Sequence, residues 1–162
     1  MVASAMTEQV DKNKLARSVT LADSHLDEPT QPRGKVILVI EDEFLVRLMI
    51  ADHLRASGYV VIEVANASEA LIVIASQTQI DLVFTDINVP GWLDGEALAN
   101  WLSIRRPDIP VILTSGIITP SLRNDSDAIR FIPKPYVLAS VEKAILDLLA
   151  EAQGACKSLS DT

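Results

Sequence analysis

Short apolar runs alternate along the chain with longer segments in which apolar residues recur at helical spacing, from Gly34 to about residue 151. Five runs are rich in β-branched and aliphatic residues and are bounded by polar or turn residues, a pattern typical of buried strands. They are residues 35–40, 59–64, 80–86, 109–115 and 129–133. Pro133 lacks the N–H that a sheet ladder needs, so the last run is predicted to be an edge strand or a strand end.

The segments between these runs have the 3.6-residue periodicity of amphipathic helices. They cover residues 44–57, 66–77, 94–105 and 137–151. Asn66, followed three residues later by Glu69, matches a helix capping box, and His53 is expected on the solvent side of the first helix. Residues 117–128 are mostly polar and include Pro120, so only a short fourth helix is predicted there. Strands that alternate with helices predict an α/β fold, a doubly wound parallel sheet with helices on both faces.

The two ends of the chain lack this alternation. Residues 1–33 are polar and charged and are predicted to be a flexible N-terminal extension. Residues 34–152 form the predicted folded domain, and residues 153–162 are predicted to be a polar C-terminal tail.

Composition narrows the function classes. A formal net charge of −8 argues against duplex DNA or an anionic membrane as the main partner. The single cysteine, Cys156, excludes a disulfide framework and a cysteine metal site, and favours a reducing compartment. No run of apolar residues is long enough to span a bilayer, and no signal peptide is recognisable. The sequence therefore predicts a cytoplasmic protein.

Polar side chains suited to chemistry lie at the ends of four of the predicted strands or directly after them. They are Glu41 and Asp42, Asp86, Thr114 or Ser115, and Lys134. Because all strands of a parallel sheet end at the same edge, we expect these side chains to converge, although they are distant in sequence.

Carboxylates placed side by side, such as Asp42 and Asp86, repel each other unless a cation lies between them. Two carboxylates with water and a backbone carbonyl suit Mg²⁺. Lys134 adds a second positive charge, and Ser115 with the N–H of Gly116 would complete a cradle for a tetrahedral anion. This set of groups points to phosphoryl transfer onto a carboxylate, with Asp86 as the nucleophile.

Four short segments form a set whose order and spacing are specific. They are Val-Ile-Glu-Asp-Glu at 39–43, Asp-Ile-Asn-Val-Pro-Gly at 86–91 followed by Asp94-Gly95, residues 110–116, and Phe-Ile-Pro-Lys-Pro-Tyr at 131–136. Together they resemble the receiver domain of two-component response regulators, over residues 34–151. The resemblance implies a flavodoxin-like (βα)5 fold with strand order 2-1-3-4-5.

The resemblance also implies roles for individual residues. Asp86 would accept a phosphoryl group from a phosphohistidine of a sensor kinase. Asp42 and Asp86 would bind Mg²⁺ directly, Glu41 would act through metal-bound water, and Asn88 would offer its backbone carbonyl. A receiver domain of this kind is not an enzyme with an external substrate, since it catalyses only its own phosphorylation and dephosphorylation.

Further implied roles concern the phosphoryl group and the conformational switch. Lys134, Ser115 and Gly116 would contact the phosphoryl oxygens, and Ser115 with Phe131 would form the switch. The bond between Lys134 and Pro135 is expected to be cis.

Thr114 and Ser115 compete for the switch position, because neighbouring side chains of a strand point to opposite faces. Counting from Pro110, with Gly116 as the small residue after the switch, favours Ser115, which leaves Thr114 for packing or hydrogen bonding on the other face. Three features depart from the common receiver pattern. The acidic pair is Glu-Asp, the aromatic switch residue is Phe131, and the interval from Ser115 to Lys134 is about one helical turn short, which leaves open whether the usual output face is used.

The predicted function is that of a stand-alone receiver in a phosphorelay, since no output domain follows it. It would signal by protein contact or by onward phosphotransfer. The expected partner is a sensor histidine kinase or a phosphotransfer protein, and the resemblance favours a kinase of the alphaproteobacterial HWE type. Nucleic acid and membrane are not expected as partners. A homodimer is possible. Two alternatives remain: a degenerate receiver that acts as an interaction module without phosphorylation, and a phosphatase of the haloacid dehalogenase type. The second conflicts with Asn88, where that family needs a general-acid aspartate.

Overall fold

The computed structural model describes residues 34–117 and 128–160, with side chains up to residue 154. The predicted N-terminal extension, most of the predicted short fourth helix and the last two residues lie outside these ranges. Within them, no helix is both long enough and apolar enough to cross a bilayer.

A parallel sheet of five strands forms the central layer, in the order β2-β1-β3-β4-β5. Its strands are β1 (Val36–Ile40), β2 (Val60–Val64), β3 (Leu82–Asp86), β4 (Val111–Ser115) and β5 (Ile129–Pro133). The order confirms the flavodoxin-like topology. Strand β5 lies at an edge, as Pro133 predicted.

Two hydrophobic clusters cover the two faces of the sheet. Alternation along each strand sends Leu38 and Ile40 of β1 to one cluster, and Ile37 and Val39 to the other. All five residues of β3 and of β4 are buried. Burial on both faces explains why these strands read as continuous apolar runs, and it leaves their ends as the places for polar side chains.

Four helices in the described part of the chain flank the sheet. They are α1 (Phe44–Ala56), α2 (Ala67–Ala75), α3 (Gly95–Arg105) and α4 (Leu138–Ser160). Helices α2 and α3 pack on the face that holds Leu38 and Ile40, and α1 and α4 pack on the face that holds Ile37 and Val39. Asn66 caps α2 by accepting a hydrogen bond from the Glu69 N–H at 2.9 Å, which confirms the predicted cap.

Helix α4 is longer than predicted. It was expected to end near Glu151, but it continues to Ser160. A single glycine, Gly154, costs a helix only about 1 kcal/mol, and the alanine, lysine and leucine that follow favour helix. Helix α4 therefore includes residues 153–160, which were predicted to belong to the polar tail.

His53 also differs from its prediction. Its ring Nε2 lies 3.2 Å from a carboxylate oxygen of Glu142 on α4, and its side chain is 30% exposed. Because α1 and α4 share one face of the sheet, a residue beside the core stripe of α1 meets the neighbouring helix instead of solvent.

Candidate functional site

Three carboxylates meet where β1 and β3 end. Glu41 and Asp42 follow β1, and Asp86 is the last residue of β3; the register pairs Ile40 with Thr85, which brings the two strand ends together. One carboxylate oxygen from each residue lies within 4.8 Å of the others. Glu41 is 1% exposed and Asp86 8%, whereas Asp42 is open to solvent.

Lys134 supplies the positive charge of the cluster from the end of β5. Its Nζ donates to Asp86 Oδ2 at 2.5 Å and to Glu41 Oε2 at 2.8 Å. Burial alone would lower the pKa of Lys134, but the hydrogen bonds and charges of these two carboxylates outweigh it and raise that pKa. The lysine is therefore charged, and it links the end of β5 to the ends of β1 and β3, neither of which neighbours β5 in the sheet.

Burial and the charge of Lys134 shift the pKa of Glu41 in opposite directions. Its burial raises its pKa, the nearby charge of Asp86 raises it further, and the hydrogen bond and charge of Lys134 compensate only in part. The net pKa shift is upward. One ammonium group among three carboxylates thus leaves this edge of the sheet with excess negative charge.

Ser115 and Asn88 lie together beside Asp86. The Asn88 side-chain amide donates to Ser115 Oγ at 3.3 Å, and the Asn88 backbone N–H donates to Asp86 Oδ1 at 3.1 Å. Ser115 Oγ also accepts a hydrogen bond from the Ile117 N–H at 3.2 Å. The adjacent Thr114 hydroxyl instead donates to the Thr85 carbonyl, at 3.4 Å.

Gly116, Phe131 and Pro135 complete the set of predicted site residues. Gly116 is exposed, and a Cβ added there would lie 3.7 Å from the Cβ of Lys134, so this glycine borders the lysine. Phe131 is half-buried and packs against the cluster that holds α2 and α3. The peptide bond between Lys134 and Pro135 is cis, as expected.

Two supporting residues were assigned no role from the sequence, although Gly95 belongs to one of the motif segments. Arg47, on the first turn of α1, donates from Nη1 to the backbone carbonyl of Glu41 at 2.5 Å and so fixes the acidic loop. Gly95 begins α3 directly against the backbone of Asp86: an added Cβ would lie 2.0 Å from the Asp86 carbonyl oxygen. The nearest sequence signal was the Asp94-Gly95 pair, in which Asp94 caps α3 through the Ala97 N–H at 2.7 Å.

This convergence of strand-end acids, lysine and hydroxyl agrees with a profile of the response regulator receiver domain, which matches residues 37–146. The chain belongs to the receiver domain family of response regulators. This is a family of signalling domains, not of enzymes.

Relatives with known names agree with the assignment. The chain is 31% identical over 115 residues to the response regulator protein FleR of Pseudomonas aeruginosa, an alignment that covers 70% of this chain and 24% of FleR. A response regulator receiver protein from Sinorhizobium medicae superposes with a TM-score of 0.68 at 25% identity, covering 74% of this chain and 97% of that one. The response regulator TrrA of Thermotoga maritima, solved in complex with Mg²⁺-BeF, has a TM-score of 0.62 at 27% identity and covers 70% of this chain and 98% of its own.

The structure places the predicted acids, Lys134 and Ser115 at the edge of the sheet where the strands end, whereas Phe131 lies in the middle of β5. Glu41, Asp86 and Lys134 are in direct contact, Asp42 is within reach of the same point, and Ser115 contacts Asn88. Oxygen ligands in this number suit a hard divalent cation, and the excess negative charge favours its binding. At the same edge Asp86 offers a carboxylate with the charged donor Lys134 beside it, an arrangement suited to an incoming phosphoryl group.

Proposed function

We propose that this receiver accepts a phosphoryl group on Asp86, from the phosphohistidine of a sensor histidine kinase or a phosphotransfer protein, in a Mg²⁺-dependent reaction. The observation that carries the proposal is the contact between Lys134 Nζ and Asp86 Oδ2, at 2.5 Å, within a cluster of three carboxylates. An Asp86 oxygen would form the new bond to phosphorus while the bond from phosphorus to the histidine nitrogen breaks. No external substrate is turned over, so catalysis is limited to the domain's own phosphorylation and dephosphorylation.

The metal proposal rests on the donor set. Asp42 and Asp86 would bind Mg²⁺ directly, with the Asn88 backbone carbonyl as a further ligand and Glu41 acting through water. When bound, Mg²⁺ would neutralise charge on the phosphoryl oxygens. Three carboxylates with one ammonium group are electrostatically suited to this ion, and the exposure of Asp42 gives it access.

Lys134 would hold the phosphoryl group after transfer. Its ammonium group has three N–H donors, and in the structure two of them are directed at Asp86 and Glu41. A phosphoryl group on Asp86 would place new oxygens beside this ammonium, with Gly116 at the border of the same space.

Ser115 would report the phosphorylation. In the structure its Oγ accepts hydrogen bonds from the Asn88 amide and the Ile117 N–H. A phosphoryl oxygen would offer a charge-assisted bond that exists only in the phosphorylated state, and a difference of that kind shifts a conformational equilibrium. Phe131, which has no hydroxyl, would respond by packing alone.

The kinase would dock on α1, next to the acidic loop. Four apolar side chains of this helix are exposed: Phe44 at 59%, Leu45 at 70%, Leu48 at 37% and Met49 at 51%. They follow Glu43 directly, so a partner that covers them would reach Asp86. A surface of this kind is expected to carry a protein interface. A kinase of the HWE type is the candidate that the sequence resemblance favours.

The wider setting belongs to the same proposal. The chain spans 24% of FleR, and we propose that its phosphorylated form signals by protein contact or passes its phosphoryl group onward, without a nucleic-acid or membrane partner. The cytoplasm is the proposed compartment, which the single cysteine of the sequence favours.

The test is labelling by a small phosphodonor with Mg²⁺, measured as the gain of one phosphoryl group in the intact mass. Asp86→Asn should abolish labelling, because an amide is nearly isosteric but not nucleophilic. Asp81→Asn is the matched control, since Asp81 is also a partly buried aspartate that contacts a lysine, Lys35, but lies at the opposite edge of the sheet. It should label like the wild type.

Metal dependence is measured in the same assay. Asp42→Ala should weaken Mg²⁺ binding and slow labelling, while the fold, followed by circular dichroism, stays intact. Labelling that persists in Asp86→Asn would refute the phosphoacceptor assignment. A wild type that folds, binds Mg²⁺ and is never labelled would favour the interaction module that needs no phosphorylation.

A further inference from the structure

An apolar groove lies between α2 and α3, on the face of the sheet opposite to α1. Its volume is about 420 Å³, and it is lined by Leu71, Ile74, Ala75, Trp101, Arg105 and Arg106. These residues come from the last turns of the two helices. Because crossover helices return the chain to the edge where strands begin, the groove lies towards that edge and away from Asp86.

Exposed apolar side chains extend the groove into a larger surface. Trp101 is 40% exposed and Ile104 is 67% exposed, and their spacing of three places them on one side of α3. On α2, Ile72 is 70% exposed and lies three residues before Ala75. The sheet-facing residues of both helices are others, such as Leu98 and Leu102 of α3. These side chains lie outside the core cluster of this face, and an exposed tryptophan in such a surface is typical of a binding anchor.

The charged side chains at the rim of the groove indicate what kind of partner it would bind. Arg106 is held by both carboxylate oxygens of Asp108, with Nε at 3.0 Å and Nη2 at 2.8 Å. Arg105 is exposed, lies one turn after Trp101, and forms no ion pair with the residues that the structure describes. In a chain with a formal net charge of −8, this groove thus has at its edge a cation that pairs with no acid among the described residues.

A second copy of the same surface fits this charge poorly. A symmetric dimer brings the same patch of both subunits together, so it would bury two Arg105 charges in one interface and add no carboxylate to pair with them. An acidic partner gains a charge pair with Arg105 and covers the apolar side chains as well.

We propose that this groove binds an amphipathic helix of another protein, in which apolar side chains at helical spacing are flanked by carboxylates. Trp101 is the apolar anchor and Arg105 pairs with a flanking carboxylate. This binding mode, a helix laid into a groove, is independent of the phosphorylation site and of the exposed stripe on α1.

The experiment uses Trp101 as its own reporter. The chain has two tryptophans, so the full-length Trp92→Phe variant leaves Trp101 alone. Two synthetic amphipathic helices with the same apolar residues are titrated, one with glutamate and one with lysine at the flanking positions. The glutamate peptide should blue-shift the Trp101 emission and bind more weakly as salt is raised, and the lysine peptide should bind less tightly.

Variants of the rim decide the assignment. Arg105→Glu should weaken binding of the glutamate peptide by about two- to fivefold and strengthen binding of the lysine peptide, as expected for an exposed charge pair. Lys143→Glu, an exposed charge reversal on α4, is the control and should change neither affinity. Equal affinities for the two peptides, or an emission shift that depends on protein concentration without peptide, would overturn the proposal; the second result would assign the groove to another copy of this chain.

Discussion

Both edges of the sheet pair a lysine with a carboxylate, but they balance the charge differently. Where the strands begin, Lys35 Nζ lies 2.8 Å from Asp81 Oδ1, and Asp81 Oδ2 accepts the Val36 N–H at 2.8 Å. Burial would raise the pKa of Asp81, but these hydrogen bonds and the lysine charge outweigh it and lower that pKa. Here the ionised carboxylate stabilises the fold.

At the edge where the strands end, one lysine faces three carboxylates and cannot neutralise them all. Lys134 bonds to both Asp86 and Glu41, with Asp42 close by, and the pKa of Glu41 is raised. The ionised Glu41 therefore costs stability. The same residue types therefore form a closed structural pair at one edge and an incompletely neutralised site at the other. This imbalance of charge suits the second edge to a cation and a phosphoryl group.

Removal of each lysine should separate the two edges most clearly. Lys134→Met leaves Glu41 buried without its cation, so the free energy of unfolding at neutral pH should fall by about 2–3 kcal/mol, and added Mg²⁺ should recover part of it. Lys35→Met should cost only about 1 kcal/mol, because Asp81 keeps the Val36 N–H. Urea denaturation of both variants measures the difference. Equal losses, unaffected by Mg²⁺, would mean that the edges are equivalent.

Steric tightness also distinguishes the edges. Gly95→Ala would put a Cβ 2.0 Å from the Asp86 carbonyl oxygen, so it should destabilise the protein by about 2 kcal/mol and impair labelling of Asp86. Gly154→Ala, at the far end of α4 where nothing lies within 4 Å, should instead stabilise by up to about 1 kcal/mol. Thermal unfolding of the two variants, with labelling as a second readout, checks both signs. A neutral Gly95→Ala would show that α3 can move away from the site without loss.

At the edge where the strands begin, the loss of stability in Asp81→Asn should depend on pH. Because folding lowers the pKa of Asp81, its contribution is fully present above the unfolded pKa, about 4, and is lost as pH falls through the folded value. Asp81→Asn should therefore cost about 1–2 kcal/mol at neutral pH and almost nothing in strong acid. Urea midpoints across a pH series measure this. A loss that does not vary with pH would assign the effect to packing.

At the edge where the strands end, the pH dependence of stability should have the opposite sign. Folding raises the pKa of Glu41, so its ionisation lowers stability as pH rises above the unfolded pKa, about 4.3. Glu41→Gln should be more stable than the wild type by about 1 kcal/mol at neutral pH and equal to it in acid. The same pH series of urea midpoints is the measurement. A variant less stable at neutral pH would mean that the pair with Lys134 outweighs burial.

Much of the site could be predicted from the sequence, because strand ends are visible in a hydropathy pattern. Apolar runs that stop at Asp86 and at Lys134 predict strands, and a parallel sheet places strand ends at one edge. Which atoms touch could not be predicted. That Lys134 reaches Glu41 as well as Asp86 depends on the register of β1, β3 and β5 and on the extra methylene of a glutamate.

Other features depend on contacts that periodicity does not encode. Apolar residues at helical spacing in α1 looked like a core stripe, yet Leu45 is 70% exposed, because a face that packs on a sheet and a face left for a partner have the same pattern. The contact of Arg47 with the Glu41 carbonyl and the close approach of Gly95 to Asp86 arise from how α1 and α3 pack. Single sequences carry no signal for such long-range approaches.

The central claim is that the incompletely neutralised edge is the phosphoacceptor site. Its most direct test is chemical trapping: the protein is phosphorylated by a small phosphodonor with Mg²⁺ and treated with borohydride, which reduces an acyl phosphate and converts that aspartate to homoserine. Peptide mass spectrometry should find homoserine at position 86 and leave Asp42 and Asp81 unchanged. Homoserine at either of those two positions, or none in a fully labelled protein, would contradict the account.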